Sequence, residues 1–253
     1  MTTQENPPVS TGAAPSGARN EASAARAVEQ MFDDIAPSYD TVNHVLSGNV
    51  DRLWWRWTAQ RFRDILARPE ATVLDLCCGT GDMVLALRRF SPPDAVPAIG
   101  LDFSHRMLAL GAKKFAGKGI LPIEADALHA PFPDAYFDLV TTAFGFRNLA
   151  NYQAGLTEIH RILKPGAQFG ILEFGEPDGL MGHIYRLYFR YVLPAAGTFI
   201  SGVEGPYKYL PASVARFPLP KQLMEQMHKV GFTDVSWTPY TFGIAGLYVG
   251  RKT

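Results

Sequence analysis

The stretch Thr72-Val-Leu-Asp-Leu-Cys-Cys-Gly-Thr-Gly-Asp82 constrains this chain more than any other. An apolar run of strand character ends in a turn carrying Gly79 and Gly81, and a helical pattern follows directly. Glycine lets the backbone come close to a ligand, and a helix N-terminus offers unpaired amides. The alternation then continues. Apolar runs at 72–77, 97–102, 120–124, 137–143 and 168–174 predict strands, and helical spacing predicts helices over 81–90, 104–115 and 152–164. The final pair of runs, 233–239 and 243–250, flanks a short turn at Phe242-Gly243 and predicts an antiparallel hairpin. The expected fold is α/β, a Rossmann-like, mostly parallel sheet covered on both faces and ended by that hairpin.

The remainder of the chain is read around this sheet. The 253 residues, 47% of them hydrophobic, suffice for one sizeable core. Residues 1–24 hold no large hydrophobe beyond Val9 and are expected to be a disordered tail. Residues 25–253 are expected to form a single domain, with 25–70 as an N-terminal helical lid and 176–218 as a substrate-side insertion. Within the lid, Val28, Met31, Phe32 and Ile35 recur at helical spacing. Residues 51–67 predict a second helix with Leu53, Trp57, Phe62, Ile65 and Leu66 largely inward, and 37–48 between them reads as a polar segment with turn residues.

Charge and cysteine usage exclude several classes. Lys plus Arg and Asp plus Glu are both 24, so there is no broad field for nucleic acid or an anionic membrane. Cys77 and Cys78 are adjacent and staple nothing distant, which favours a reducing cytoplasm. Neither they nor the histidines show metal-ligand spacing, so no metal is expected. Neither a transmembrane run nor a signal peptide is evident.

The glycine turn alone fits several nucleotide-binding families, or an ordinary tight turn. A dinucleotide fingerprint requires a third glycine where Val84 stands, and Asp82 at the helix start would repel a pyrophosphate. S-adenosylmethionine has no phosphate and carries an ammonium and a sulfonium, so Asp75 and Asp82 are acceptable near it. Asp102, at the end of the next strand, suits the two ribose hydroxyls of an adenosine, with capping of the following helix as the bland alternative. Asp126, after the third strand, suits the adenine amine, again against capping.

Longer motifs carry a resemblance. Tyr39-Asp-Thr-Val-Asn43-His-Val-Leu-Ser47-Gly48 with Trp54, Phe144-Gly-Phe-Arg147-Asn148-Leu149, Arg161-Ile-Leu-Lys-Pro-Gly166 through Leu172-Glu173-Phe174, and Tyr207-Lys-Tyr209-Leu-Pro-Ala-Ser213 with Phe217-Pro218 resemble the ubiquinone/menaquinone biosynthesis C-methyltransferases. The resemblance runs from about residue 28 to the C-terminus. It implies a class I S-adenosylmethionine-dependent methyltransferase with cofactor contacts at Thr80, Asp102, Asp126 and Ala127. Ala143 stands where some members carry a Ser implicated in cofactor binding. The implied reaction is carbon methylation of a polyprenylated quinol, demethylmenaquinol being favoured. The alternatives are a 2-methoxy-6-polyprenyl-1,4-benzoquinol and another small molecule.

Methyl transfer to carbon needs an electron-rich ring, hence the reduced quinol with one hydroxyl ionised. Arg147 would stabilise a phenolate or orient a water, while Tyr39, Asp40 and His44 are proton acceptors if the lid folds over the site. Surface pairing for Arg147 and packing for Tyr39 are the plain alternatives. Asn148, Tyr207 and Tyr188 are the expected substrate contacts. Residues 180–200 predict a helix whose broad face holds Leu180, Ile184, Leu187, Tyr188, Tyr191 and Val192, ended near Val192 or Leu193 by Pro194. It is expected to line the substrate entrance and loosely touch the inner membrane face of a cytoplasmic protein, with core packing as the alternative.

Overall fold

The structure, a computed structural model, describes residues 12–177, 179–202 and 205–253. Helix α1 (Glu21–Ile35) begins inside the stretch read as tail. Asn20 caps it, accepting from the Ser23 amide at 2.8 Å, while the Ser23 hydroxyl answers the Asn20 amide at 3.0 Å. Upstream, Ala13 is buried and its amide donates to the Leu149 carbonyl.

The segment expected to turn at 37–48 is instead helical. A 3-10 turn at Ala36–Ser38 leads into α2 (Tyr39–Ser47), closed by Gly48 in the left-handed region at φ 59°. Its polar residues are helix-compatible, and Val42 anchors it in a small cluster with Ile35, Ala36 and Met107. Next, α3 (Asp51–Arg61) and α4 (Arg63–Leu66) meet at a break around Phe62. The inward face of α3 differs from the expected one: Trp54 is 3% exposed, while Leu53 and Trp57 are 45% and 40% exposed. Trp54 is fixed by packing and by its indole N–H donating to Thr241 Oγ1 at 2.8 Å.

Then follow β1 (Val73–Leu76), α5 (Asp82–Arg88), β2 (Ala98–Asp102), α6 (His105–Phe115), β3 (Ile120–Glu124) and β4 (Phe137–Ala143). After these come α7 (Tyr152–Ile162), β5 (Leu163–Phe174), α8 (Gly179–Leu187), α9 (Leu193–Ser201), α10 (Gly205–Arg216), α11 (Pro220–Val230), β6 (Phe232–Tyr240) and β7 (Ala245–Lys252). The sheet order is β3-β2-β1-β4-β5-β7-β6. The first five of these are parallel, and β7 runs antiparallel to both β5 and β6, as expected.

Strand alternation sends side chains to two cores. Leu74, Val140, Phe169 and Ile171 face a cluster with Leu156, Leu223 and Met227, whereas Val73, Leu139 and Leu172 face Trp54, Phe62, Val84 and Leu87. Burial on both sides explains why these strands read as continuous apolar runs. Leu74 pairs with Ile99 on one side and Val140 on the other, so the strand order reverses at β1. The crevice beyond the carboxyl ends of β1 and β4 is where such a sheet binds ligands.

Pro194 does not end the 180–200 helix. A π-turn at Tyr188–Val192 joins α8 to α9, with the Leu193 amide reaching the Tyr188 carbonyl. Proline, lacking an N–H, then sits in the first turn of α9, where no donor is required. The π-turn divides the expected broad face. Tyr185, Phe189 and Leu193 are buried, Tyr188 is half-buried, and Leu187, Tyr191 and Val192 are exposed.

Candidate functional site

A cavity of about 410 Å³ opens at that crevice. Its floor comes from the end of β1 and the glycine turn (Asp75, Cys77, Gly79, Thr80), its walls from Phe144, Arg147, Asn148 and Phe174, and its cover from α2 and the α8–α10 region. A smaller hollow of about 40 Å³ reaches Asp102, Phe103 and Met107. The two share Phe32, Tyr39, Cys77, Gly79, Ala143, Phe144 and Asn148.

Strain is concentrated at the junction. Cys77 and Phe144, at the carboxyl ends of β1 and β4, hold left-handed backbone at φ 55° and 57°. Each such residue costs about 1–3 kcal/mol, and the surrounding sheet sustains it. The two glycines of the turn serve different ends. Gly79 has φ 56° and open space where a Cβ would stand, so a ligand can come close to its backbone. Gly81 is required by packing, since a Cβ there would meet the Phe115 ring at 2.0 Å.

Two buried carboxylates stand at the strand ends below the cavity. Asp75 accepts from Thr141 Oγ1 at 2.8 Å through one oxygen, and its other oxygen is buried with no partner among the described residues. Burial pushes Asp75 up to about 7. Asp102 accepts from the Gly79 and Ser104 amides at 2.8 and 2.9 Å, yet burial pushes it up to about 6. Ser104 caps α6 itself, accepting from the Met107 amide at 3.1 Å, so the cap does not need Asp102. Oriented by the turn and retaining acceptor capacity, these carboxylates suit a ligand that brings positive charge and hydroxyl donors.

Thr80 and Asp40 are tied together. Thr80 Oγ1 donates to Asp40 Oδ1 at 2.5 Å, and Lys114 Nζ stands 2.6 Å from Asp40 Oδ2 and 3.0 Å from Asp82 Oδ1. Both Asp40 oxygens are thus engaged, and the network fastens α2 to the glycine turn. Lys114 had no sequence signal beyond its place at the end of α6. His44 pairs with Asp51 at 2.8 Å, joining α2 to α3. Asp126 and Ala127 fall outside both cavity walls. Asp126 is exposed and accepts from the Leu128 amide at 2.9 Å.

Arg147 brings a buried positive charge to the cavity wall. It is buried, and Glu173 holds it twice, by its amide at 3.0 Å and by Nη1 at 2.9 Å. Nη1 also donates to the Phe144 carbonyl, and the guanidinium lies 5.3 Å from the Phe174 ring centre. Burial pulls the Arg147 pKa down, but Glu173 and the neighbouring Tyr39 and Tyr209 together more than offset this and raise it, so it remains a cation and not a base. Tyr39 is pushed up to about 12 by burial despite the Arg147 charge. It is therefore a neutral phenol at ordinary pH, fit to donate a hydrogen bond. Asn148 lines both hollows, and Tyr188 lines the larger one while donating to the Leu46 carbonyl at 2.7 Å. The Tyr207 side chain lies outside the described residues.

Sequence reasoning missed Glu173, Tyr185 and Tyr209 as site residues. A signal for Glu173 existed: a lone charge inside the apolar run Gly170-Ile-Leu-Glu-Phe174. A buried charge of that kind needs a partner. Tyr185 shares helical spacing with Phe189 and Leu193, a second apolar stripe beside that of Leu180, Ile184 and Leu187.

The comparisons accord with this geometry. The chain is 44% identical, over the full length of both proteins, to the demethylmenaquinone methyltransferase of Deinococcus radiodurans. It is 44% identical to the ubiquinone/menaquinone biosynthesis C-methyltransferase UbiE of Geobacter sulfurreducens, covering 89% of this chain and 88% of that protein. A solved Thermotoga maritima methyltransferase, described as a possible histamine N-methyltransferase, shares the fold with a TM-score of 0.63. That match has 19% identity and covers 89% of this chain and all of that one. The family model of the ubiE/COQ5 methyltransferases matches residues 19–252, taking in lid, glycine turn, Arg147 and hairpin alike, and the chain belongs to that family.

Proposed function

We propose that this protein is an S-adenosylmethionine-dependent methyltransferase that methylates a ring carbon of a polyprenylated quinol, demethylmenaquinol being the favoured substrate. The observation that carries this reading is the contiguity of two unlike sites. Buried carboxylates sit at the strand ends, and one neutralised arginine stands beside the aromatic walls formed by Phe144, Phe174 and Trp54 in the same cavity. The names of the relatives support the quinol, and that of the Geobacter protein keeps a benzoquinol as the alternative.

The residues fit the cofactor. Asp75, with an unpartnered buried oxygen, suits its cationic end, Asp102 its ribose, and the open space at Gly79 its close approach. Thr80 supports the turn. Asp126 and Ala127 follow β3, the strand beside β2, and would meet the adenine. When bound, the cofactor supplies an electrophilic methyl group on a sulfonium.

The chain's own residues prepare the acceptor. Arg147 and Tyr39 stabilise negative charge on the quinol oxygen beside the methylated carbon, by a charge-assisted bond and a phenol donor. Asn148 orients that oxygen. Glu173 keeps Arg147 in place and the site near neutrality. Asp40, held by Lys114 and Thr80, closes the N-terminal helices over the site. Phe144, Phe174 and Trp54 exclude water. On receiving the methyl group the ring carbon would lose its proton to solvent, while Arg147 and Tyr39 hold the adjacent oxygen throughout.

The α8–α9 segment has its inner side on the cavity and its outer side, with Leu187, Tyr191 and Val192, exposed. No helix among the described residues is long and apolar enough to cross a membrane. The exposed side supports loose contact with a bilayer surface beside the entrance. Tyr191→Ser with Val192→Ser should then lower turnover of a long-tailed quinol in vesicles and spare a short-tailed one. Equal effects on both would remove the bilayer contact.

The reading is tested by turnover of demethylmenaquinol and the matching benzoquinol under anaerobic reducing conditions, with mass analysis of products. One added methyl on the naphthoquinol is expected. Methylation of neither quinol contradicts the reading, and preference for the benzoquinol contradicts the favoured substrate.

A further inference from the structure

Unpartnered polar atoms gather around the large cavity. Tyr185 and Tyr209 hydroxyls, Arg147 Nε and Asn148 Oδ1 are all buried with no hydrogen-bond partner among the described residues, and all these residues line the cavity. Folded proteins satisfy roughly 90% or more of such groups, and leaving one unpaired costs about 1–3 kcal/mol. Several at one cavity are the mark of a site completed by its ligand.

The number of these groups restricts that ligand. A hydroxyl has one proton to give and two lone pairs to offer. A single ligand oxygen therefore has fewer places than these groups have needs, and the amide oxygen of Asn148 takes the only proton. A ring with two oxygens has room for all of them. Arg147 and Asn148 come from the turn after β4, whereas Tyr185 comes from α8 and Tyr209 from α10. The cover thus adds a second polar group of different origin.

We propose that Tyr185 and Tyr209 read the second hydroxyl of a 1,4-dihydroxy aromatic ring, while Arg147 and Asn148 hold the first; the proposal rests on the quinol reading and deepens it. Both phenols are raised above their ordinary value by burial, although the Arg147 charge draws each the other way. Both therefore remain protonated and able to donate. A site built to bond a hydroxyl rejects the analogue that lacks it, because its own buried groups stay unpaired. The tyrosine pair thereby makes the enzyme selective for the diol over a ring with one hydroxyl and the same tail.

The test uses the full chain with Tyr185→Phe, Tyr209→Phe and the double substitution. Substrates are the prenylated 1,4-naphthalenediol and the prenylated 1-naphthol, which keeps only the hydroxyl beside the methylated carbon. Each substitution should lower kcat/KM for the diol about tenfold and affect the naphthol much less, so that the wild-type preference narrows. S-adenosylmethionine affinity should hold, and so should the unfolding midpoint of the ligand-free protein, since no internal bond is lost. Equal losses on both substrates, an unchanged diol rate, or a fallen midpoint each overturn the proposal. If the wild type turns over neither substrate, the quinol reading itself fails and takes this proposal with it. That outcome is distinct from an active wild type whose variants keep their selectivity.

Discussion

The floor and the cover of the cavity are made of different material. The floor consists of strand ends: Asp75 lies in β1 with Cys77 and Gly79 just after it, and Asp102 ends β2; sheet pairing fixes Asp75, and the Gly79 amide ties the turn to Asp102. The cover consists of α2 and the α8–α10 region, packed through small apolar clusters such as Tyr185, Phe189, Leu193 and Val214. Arg147 lies between them, on a turn after β4 but gripped by Glu173 of β5. A rigid floor suits a cofactor of constant shape. A cover of helices joined by a π-turn suits a substrate with a long tail, because helices repack at less cost than strands slip register.

If floor and cover act separately, damage to each should appear in different measurements. The largest effect is expected where they meet. Glu173→Leu leaves the buried Arg147 charge without its partner and should destabilise the fold by about 3–5 kcal/mol in denaturant unfolding. A loss below about 1 kcal/mol would mean that the guanidinium finds other support.

Asp102→Ala strikes the floor alone. Losing up to two charge-assisted bonds should weaken S-adenosylmethionine binding by about 3 kcal/mol, or a hundredfold, in calorimetry. Normal binding would return Asp102 to ordering the turn.

Arg147→Lys keeps the charge and loses the planar fork. Turnover should fall about a hundredfold while cofactor affinity changes little. A parallel fall in both would merge the two regions into one.

A smaller, graded effect comes from pH. Asp75 and Asp102 stand near 7 and 6, above their ordinary 3.8. A raised folded pKa contributes stability that is full below the unfolded value and lost as pH rises through the folded one. The ligand-free protein should therefore lose part of its stability between about pH 4 and about pH 7, whereas affinity for a cationic cofactor should rise over the same window and level off above it. Affinity that is flat across this range would mean that the ligand does not select the ionised carboxylates.

The same contrast explains what was legible beforehand. The floor is encoded in consecutive residues, so the strand at 73–76, the turn and Asp102 were readable from composition and spacing. The cover is assembled from segments far apart in the chain. Tyr188 reaches Leu46, and Trp54 reaches Thr241, contacts that no local pattern announces. Helical phase was the other obstacle. In α3 the tryptophans at 54, 55 and 57 are chemically alike, and only tertiary packing selects Trp54 as the inward one. In 180–200 the π-turn shifts the phase midway, so a single-period reading mixed inner and outer residues. Asp126 follows the third strand as expected, is exposed, and pairs with His129.

The most direct test of the account is single-turnover methyl transfer to demethylmenaquinone presented in its reduced and its oxidised form, with S-adenosylmethionine, read by product mass. The account predicts one added methyl on the reduced form and almost none on the oxidised form, because only the quinol has an ionisable hydroxyl for Arg147 to stabilise. Equal rates on the two forms would contradict it.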